Sequence, residues 1–77
     1  MKIHIEFCIK WNYEPEFDRV SKIIKEINPT IKIFGNQSPP RSGAFEVQLN
    51  EKLVFSKFST GNFPTEKELK IMFGSNL

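Results

Sequence analysis

The order of sequence patterns in residues 2–34 constrains the fold most. The stretch KIHIEF, residues 2–7, alternates apolar and polar side chains, which predicts a strand with one buried face. Residues 15–27 instead carry apolar side chains at helical spacing, namely Phe17, Val20, Ile24 and Ile27. A second short run, TIKIF at 30–34, predicts another strand. Because a strand, a helix and a strand in this order form a parallel pair with a right-handed crossover, residues 2–34 predict one β-α-β unit.

The middle of the chain predicts a loop followed by a hairpin. The segment GNQSPPRSG, residues 35–43, is dense in turn-forming residues and lacks periodicity, so we expect a loop across the surface. The alternating segment AFEVQLN and the segment KLVFSKF follow it, and the residues Asn50 and Glu51 connect them tightly. This arrangement predicts two antiparallel strands.

A second helix closes the predicted fold. Thr65 and Glu68 have the spacing of a capping box, and Gly74 lies where the helix would end. The inward stripe of this helix consists of Leu69, Met72 and Phe73. The sequence therefore predicts an α/β, thioredoxin-like domain of order β-α-β-β-β-α. It would have a small mixed four-stranded sheet and two helices, which cover one or both faces.

Length and cysteine content limit the organisation and the compartment. A chain of 77 residues has apolar material for one core, so residues 1–77 are expected to form a single domain. One cysteine excludes an internal disulfide. Small secreted domains usually carry an even set of cysteines, whereas a single thiol fits a reducing compartment. We therefore expect a cytoplasmic location.

The charge distribution argues against two classes of partner. The formal net charge is +2, and the basic residues are interleaved with acidic ones along the chain. A nucleic-acid interface would gather basic residues on one face, so no nucleic-acid partner is expected. No apolar run approaches the roughly 18 to 20 residues of a membrane span. The sequence also opens without a secretory leader pattern, so we expect no membrane partner.

Cys8, the only cysteine, is the candidate reactive group. It follows the first predicted strand, on the face opposite Phe7, in a loop near a helix N-terminus where partial positive charge favours a thiolate. Lys10 would add to this effect, and so would Arg41 if the long loop folds back. The alternative interpretation is a small buried hydrophobe, as free cysteines often are. The strand alternation favours the reactive interpretation and predicts an accessible sulfur at the loop edge of the sheet.

The chain resembles the selenoprotein W family, which is grouped with its relatives as the Rdx family. In that family a strand ends in Cys-x-x-Sec or Cys-x-x-Cys, often followed by Tyr and Pro. This sequence has Cys8, Trp11, Tyr13 and Pro15 at the matching positions. Later motifs agree in order and spacing, namely GAFEV at 43–47, KLV and SK within 52–57, and GNFP at 61–64. The resemblance implies a thioredoxin-like fold and a thiol or selenol redox role, with Cys8 as the matching redox cysteine.

Trp11 departs from the family pattern, since it occupies the position of selenocysteine or of the second cysteine. In one explanation this member has lost its second redox group, and works as a monothiol or has no redox role. In the other, Trp11 reflects decoding, because selenocysteine is encoded by UGA and tryptophan by UGG. Cys8 and Trp11 are therefore the two candidate catalytic positions.

Other polar and aromatic residues have simpler interpretations. His4 points away from the apolar face of the first strand, and with Cys8 it gives too few ligands for a closed zinc site, so no metal is expected. Gly43 is expected to permit close approach of the backbone beside the Cys8 loop. The aromatic residues of interest are Trp11, Tyr13, Phe58 and Phe63. In one interpretation they form an exposed apolar rim around Cys8. We favour the alternative, in which two or more of them simply cap the core.

Two functions follow from these features. The leading hypothesis is a small redox protein whose Cys8 forms mixed disulfides with glutathione or with thiol-containing partner proteins. Such a protein would be a glutathione-linked thiol oxidoreductase or antioxidant, with glutathione as a co-substrate and no bound cofactor. The alternative is a redox-inactive, thioredoxin-like module that binds proteins through its aromatic rim.

Overall fold

The computed structural model describes residues 1–74 and contains four strands and three helices in that range. In chain order these elements are β1 (Lys2–Phe7), α1 (Glu14–Ile27), β2 (Lys32–Phe34), β3 (Phe45–Leu49), β4 (Lys52–Ser56), α2 (Lys57–Thr60) and α3 (Glu66–Gly74). The strands form one sheet in the order β2-β1-β3-β4. Strand β1 is parallel to β2 and antiparallel to β3, while β3 and β4 are antiparallel. The predicted thioredoxin-like arrangement with a β-α-β start is confirmed.

The sequence predicted two helices, but the described residues contain a third, short helix, α2. The pattern KLVFSKF was assigned to a strand as far as Phe58, but β4 ends at Ser56 and the chain turns into α2. The Ser56 hydroxyl accepts a hydrogen bond from the Ser59 N–H at 3.2 Å, and Glu46 accepts one from the Lys57 N–H at 2.8 Å. These bonds satisfy free N–H groups at the helix start. Because Glu46 is remote in sequence, local periodicity did not indicate the helix.

Two backbone features shape the hairpin of β3 and β4. Asn50 and Glu51 both have positive φ, at 49° and 72°, and these two residues alone connect the strands. This geometry is that of a type I′ turn, whose twist matches that of the strands. Val54 is an extra residue on β4, since Phe55 pairs with Val47 and the next pair joins Leu53 to Gln48. The resulting bulge bends the edge of the sheet.

Both longer helices pack on the same face of the sheet. The buried residues of this single core cluster include Ile3, Ile5 and Phe7 from β1, Val20 and Ile24 from α1, and Leu69 and Phe73 from α3. The predicted apolar stripes are therefore correct. Thr65 and Glu68 form the predicted capping box, in which the Thr65 N–H donates to Oε1 of Glu68 at 2.8 Å and the Glu68 N–H donates to Oγ1 of Thr65 at 3.1 Å. Within residues 1–74, no helix has the length and apolar character needed to cross a membrane.

The opposite face of the sheet carries polar groups and the loop 35–43. On this face Glu6 of β1 lies directly across from Glu46 of β3. The loop returns to the same face through Arg41, whose backbone N–H donates to Oε2 of Glu6 at 2.8 Å. The fold therefore brings the loop 35–43 beside the C-terminal end of β1, where Cys8 follows.

Candidate functional site

Cys8 extends β1 by one residue toward the loop. Its N–H donates to the Ala44 carbonyl at 2.9 Å, which continues the pairing of β1 with β3 past Phe7 and Phe45. Because successive side chains of a strand alternate between faces, Cys8 lies on the face of Glu6 and opposite to Phe7. The predicted position of Cys8, at the loop end of the sheet and off the face that carries the helices, agrees with this arrangement.

The loop after Cys8 closes on itself through two nested main-chain hydrogen bonds. The Tyr13 N–H donates to the Cys8 carbonyl at 3.0 Å, and the Asn12 N–H donates to the Ile9 carbonyl at 2.9 Å. Asn12 has φ of 58°, in the left-handed region that asparagine tolerates better than most residues. The same pair of bonds with a left-handed residue ends many helices. Residues 8–13 therefore form a compact loop rather than an extended connection.

The loop directs a main-chain donor at the sulfur. The N–H of Trp11 donates to Sγ of Cys8, with the nitrogen 3.3 Å from the sulfur. A donor of this kind interacts more strongly with an anionic sulfur than with a neutral thiol. The sequence suggested the N-terminus of α1 for this role, but α1 begins at Glu14, six positions after Cys8. The donor beside the sulfur is instead the Trp11 N–H.

The prediction of an accessible sulfur was wrong. Cys8 is only 1% exposed, while the neighbouring loop residues Ile9 and Trp11 are 59% and 56% exposed. The alternation rule assigned Cys8 to a face correctly. It did not account for the closed loop 8–13, whose Trp11 N–H reaches the sulfur, or for the segment 41–44, which lies beside that loop. We call these two segments the cover of Cys8, and access to the buried sulfur requires a movement of this cover.

The ring of Trp11 rests on Gly43. A Cβ atom added to Gly43 would lie 2.8 Å from Cζ3 of Trp11 and 3.3 Å from Cη2, so only glycine leaves room for the ring. Gly43 also has φ of +75°, a conformation that other residues seldom adopt. The prediction that Gly43 permits close approach beside the Cys8 loop is confirmed. The indole of Trp11 is the group that approaches Gly43. At the next residue, the main chain of Cys8 contacts Ala44.

Arg41 also lies on this face, since the long loop folds back as anticipated. Its Nη2 is 2.8 Å from Oε1 of Glu6, and its Nε is 3.0 Å from Oε2. The side-chain hydrogen bond from Arg41 lowers the pKa of Glu6, although burial of the carboxylate partly opposes this effect. The guanidinium also lies 5.0 Å from the centre of the Phe58 ring. Arg41 thus has partners other than the thiol, which differs from its expected role beside Cys8.

The aromatic residues divide into two pairs. Tyr13 and Phe63 pack against the core cluster and meet edge to face, with ring centres 4.7 Å apart. Trp11 and Phe58 are 56% and 52% exposed. The favoured interpretation, in which at least two of the four cap the core, is confirmed. Together with Ile9, the two exposed rings give the protein large apolar side chains on and near the cover of Cys8.

Asn36 and Glu46 are two site-supporting residues that the sequence analysis missed. The Phe7 N–H donates to Oδ1 of Asn36 at 2.9 Å, and Nδ2 of Asn36 donates to the Phe7 carbonyl at 2.9 Å. This pairing fixes the residue before Cys8. Glu46, which is 6% exposed, accepts hydrogen bonds from the Ser56 hydroxyl and the Lys57 N–H. Both roles depend on contacts between distant residues, and no local pattern indicates such contacts.

His4 lies on the same face of β1 as Glu6 and is partly buried. The Coulombic interaction with His4 is a minor contribution to the lowered pKa of Glu6. In the part of the chain that the structure describes, no three His, Cys, Asp or Glu side chains come together in a group that could hold a metal ion.

Comparison with known sequences gives a match over nearly the whole chain. The model of the Rdx family matches residues 2–73. Migration and invasion enhancer 1 from Bos taurus is 36% identical over 69 residues, which are 90% of this chain and 58% of that protein. Selenoprotein W from Danio rerio is 31% identical over 64 residues, 82% of this chain and 74% of that protein. The chain thus spans little more than half the length of the first of these relatives.

Comparison with solved structures supports the fold. A selenoprotein W-related protein from Vibrio cholerae superposes with a TM-score of 0.76 at 24% identity, and the match covers 91% of this chain and 88% of that one. A protein from Bordetella parapertussis gives a TM-score of 0.67 at 20% identity, with 99% and 96% covered. At these identities the likeness shows a shared chain topology and no more.

Proposed function

We propose, on the premise that this chain belongs to the Rdx family, that it is a thiol redox protein that forms mixed disulfides through Cys8. The single observation that carries the proposal is the Trp11 N–H, whose nitrogen is 3.3 Å from Sγ of Cys8. A thiolate is the form that attacks a disulfide, and a fixed donor stabilises it. The family motif and this donor single out the same sulfur.

The proposed reaction is an exchange between thiolate and disulfide. The Cys8 sulfur attacks one sulfur of glutathione disulfide, so that a Cys8–glutathione bond forms, the glutathione S–S bond breaks and one glutathione thiolate leaves. A second glutathione thiolate then attacks the glutathione sulfur of the adduct, which restores Cys8 and regenerates glutathione disulfide. A partner protein with a thiol can take the place of the second glutathione. Trp11 offers no sulfur of its own for resolving the adduct inside the chain.

The proposed setting and partners follow from this chemistry. A single free thiol that reacts by exchange needs a reducing compartment with a glutathione pool, so we place the protein in the cytoplasm. Glutathione acts as co-substrate, and thiol-containing proteins are the partners. In this scheme the protein acts as a glutathione-linked thiol oxidoreductase with an antioxidant role.

The proposal is tested by exposing the folded protein to glutathione disulfide and measuring its intact mass over time. We expect one glutathione adduct to form without denaturant and to disappear when reduced glutathione is added. Cys8→Ser is the control and should gain no adduct, because the chain has a single cysteine. If the wild-type protein stays unmodified until denaturant unfolds it, the proposal fails.

A second candidate function is a redox-inactive protein-binding module. Two observations favour it, namely the burial of Cys8 and the exposed rings of Trp11 and Phe58. In such a module the thiol fills space under the loop, and the exposed rings contact a partner. Cys8→Ser would then leave partner binding intact, whereas the redox proposal requires that mixed-disulfide complexes disappear.

A further inference from the structure

The cover of Cys8 has two halves, which meet through the main-chain hydrogen bond of Cys8 to Ala44 and through a side-chain contact. One half is the loop 8–13 and the other is the segment 41–44, which lies beside it. The indole of Trp11 extends from the first half and rests on Gly43 of the second. We propose that this contact is a latch, and that the thiol of Cys8 reacts only when Trp11 leaves Gly43.

The position of Trp11 couples its ring to the sulfur. The same residue directs its N–H at Sγ of Cys8, from 3.3 Å, and places its ring on Gly43. Ala44, the neighbour of Gly43, accepts the N–H of Cys8. When the ring is seated, Trp11 is held at its side chain by Gly43 and at its main chain by the hydrogen bond to the sulfur. Movement of the ring away from Gly43 therefore frees the part of the loop that covers the thiol.

Three other side chains of this loop contribute little to its closure, whereas Tyr13 packs against the core cluster and meets the Trp11 ring edge to face, with ring centres 6.2 Å apart. Ile9, Lys10 and Asn12 are all exposed. Asn12 also holds the left-handed conformation, at φ 58°, that non-glycine residues adopt at some cost. The indole is thus, with Tyr13, one of two large side chains that stabilise the closed loop against these costs. Loops with few buried apolar contacts open at the low end of the range of local unfolding energies.

The latch deepens the proposed function, because it explains how a sealed thiol can take part in exchange. The latch rests on the proposed function only for the statement that a disulfide is the natural reagent of Cys8. A closed latch protects Cys8 from adventitious oxidants, and an open latch presents the sulfur to a disulfide. Access to the sulfur can be measured with a simple alkylating reagent, whether or not the protein has a redox role.

The first test measures the rate at which iodoacetamide alkylates Cys8 in the folded protein. In this reaction the Cys8 sulfur displaces iodide and forms a thioether. We expect Trp11→Ala to raise the rate by about tenfold, since tenfold corresponds to about 1.4 kcal/mol in the opening equilibrium. Phe34→Ala, which removes another exposed aromatic residue from β2, should leave the rate unchanged. Equal rates for the wild-type protein and Trp11→Ala would overturn the proposal.

A second test uses two glycines with the same backbone conformation. Gly43 and Gly61 have φ of +75° and +78°, but a Cβ at Gly61 would meet nothing within 4 Å. Gly43→Ala and Gly61→Ala therefore impose the same type of backbone strain, and only the first displaces the indole. We expect Gly43→Ala to speed alkylation more than Gly61→Ala does.

The double variant Trp11→Ala with Gly43→Ala completes a double-mutant cycle for the contact between these two residues. It should react no faster than Trp11→Ala alone, because the contact is already absent. Equal rates for the two alanine variants at Gly43 and Gly61 would contradict the latch, and this comparison remains informative if Trp11→Ala folds poorly. If alkylation follows the latch pattern while glutathione disulfide fails to react with any variant, the latch stands and the proposed redox function falls.

Discussion

The side-chain amide of Asn36 pairs with both main-chain groups of Phe7. The Phe7 N–H donates to Oδ1 at 2.9 Å and Nδ2 donates to the Phe7 carbonyl at 2.9 Å, so the amide occupies the position of a neighbouring strand. Strand β2 ends at Phe34, two residues earlier. Asn36 therefore extends the pairing of β1 up to the residue before Cys8.

We expect Asn36→Ala to destabilise the fold by about 1–3 kcal/mol, because it leaves partly buried groups of Phe7 without partners. Unfolding in urea, monitored by far-ultraviolet circular dichroism, measures this free energy. Gln37→Ala is the matched control, since Gln37 is the exposed neighbour of Asn36 and should cost much less. Equal costs for the two variants would show that the amide pairing contributes nothing.

The ion pair between Glu6 and Arg41 makes stability depend on pH. Because the hydrogen bond from Arg41 lowers the pKa of Glu6 in the folded protein, the stabilisation is present above the ordinary pKa of a glutamate. It is lost as the pH falls through the lowered folded value. We expect Glu6→Gln to be less stable than the wild-type protein near neutral pH and to approach it in acid. The measurement is the free energy of unfolding of both proteins across the acid range.

Glu66→Gln provides the control for this experiment. Glu66 pairs with Lys70 at 3.0 Å, but both side chains are more than half exposed, so screening by water weakens the pair. Its substitution should produce a smaller pH-dependent difference. If Glu6→Gln keeps the same deficit in strong acid as at neutral pH, the ion pair is not its cause.

Glu46 holds the start of α2 from the neighbouring strand. It accepts hydrogen bonds from the Ser56 hydroxyl and the Lys57 N–H while it is 6% exposed. We expect Glu46→Ala to destabilise the protein by about 2 kcal/mol or more, because both donors lose a charged acceptor. Gln48→Ala, at the next position of β3 on the same face, is the comparison. The prediction fails if the two variants unfold at the same urea concentration.

A thiol at position 11 should form an internal disulfide with Cys8. The main-chain nitrogen of residue 11 lies 3.3 Å from Sγ of Cys8, so the backbone of position 11 lies beside that sulfur. In Trp11→Cys, glutathione disulfide would first form an adduct at one thiol, and attack by the other would release glutathione and leave the internal bond. Intact mass should then show the loss of two hydrogens and no lasting adduct. A stable adduct would mean that the loop holds the sulfurs apart.

The codon at position 11 decides between the two explanations for Trp11. If the gene has UGA there, the natural protein carries selenocysteine, and its intact mass contains selenium. A UGG codon makes Trp11 native, and this member then has lost its second redox group and is either a monothiol or without a redox role. The latch formed by Trp11 and Gly43 is a property of the natural protein only in the second case.

Local patterns were sufficient to predict most of the fold. The alternation of Ile3, Ile5 and Phe7 fixed the buried face of β1, and the spacing of Thr65 and Glu68 marked the start of α3, because both signals arise within a few residues. Helix α2 escaped prediction because its cap includes Glu46 from another strand. The segment KLVFSKF was assigned whole to the second strand of the hairpin, because no local pattern marked its end at Ser56.

The candidate site was predicted less completely than the fold. Sequence motifs made Cys8 and Trp11 the candidates, and the strand alternation gave the face on which Cys8 lies. Burial of the sulfur could not be read from that alternation, since it depends on the nested bonds of the loop 8–13 and on Gly43. The donor to the sulfur is a main-chain N–H, a group that every residue except proline carries, so no residue type signals it.

In the proposed function, the buried thiol of Cys8 exchanges with disulfides while the protein stays folded. The most direct measurement is the release of thionitrobenzoate from Ellman's reagent by the wild-type protein without denaturant, with circular dichroism recorded alongside. We predict release of one equivalent at a rate set by opening of the loop, with the native spectrum unchanged. Release that begins only at urea concentrations that unfold the protein would contradict the account.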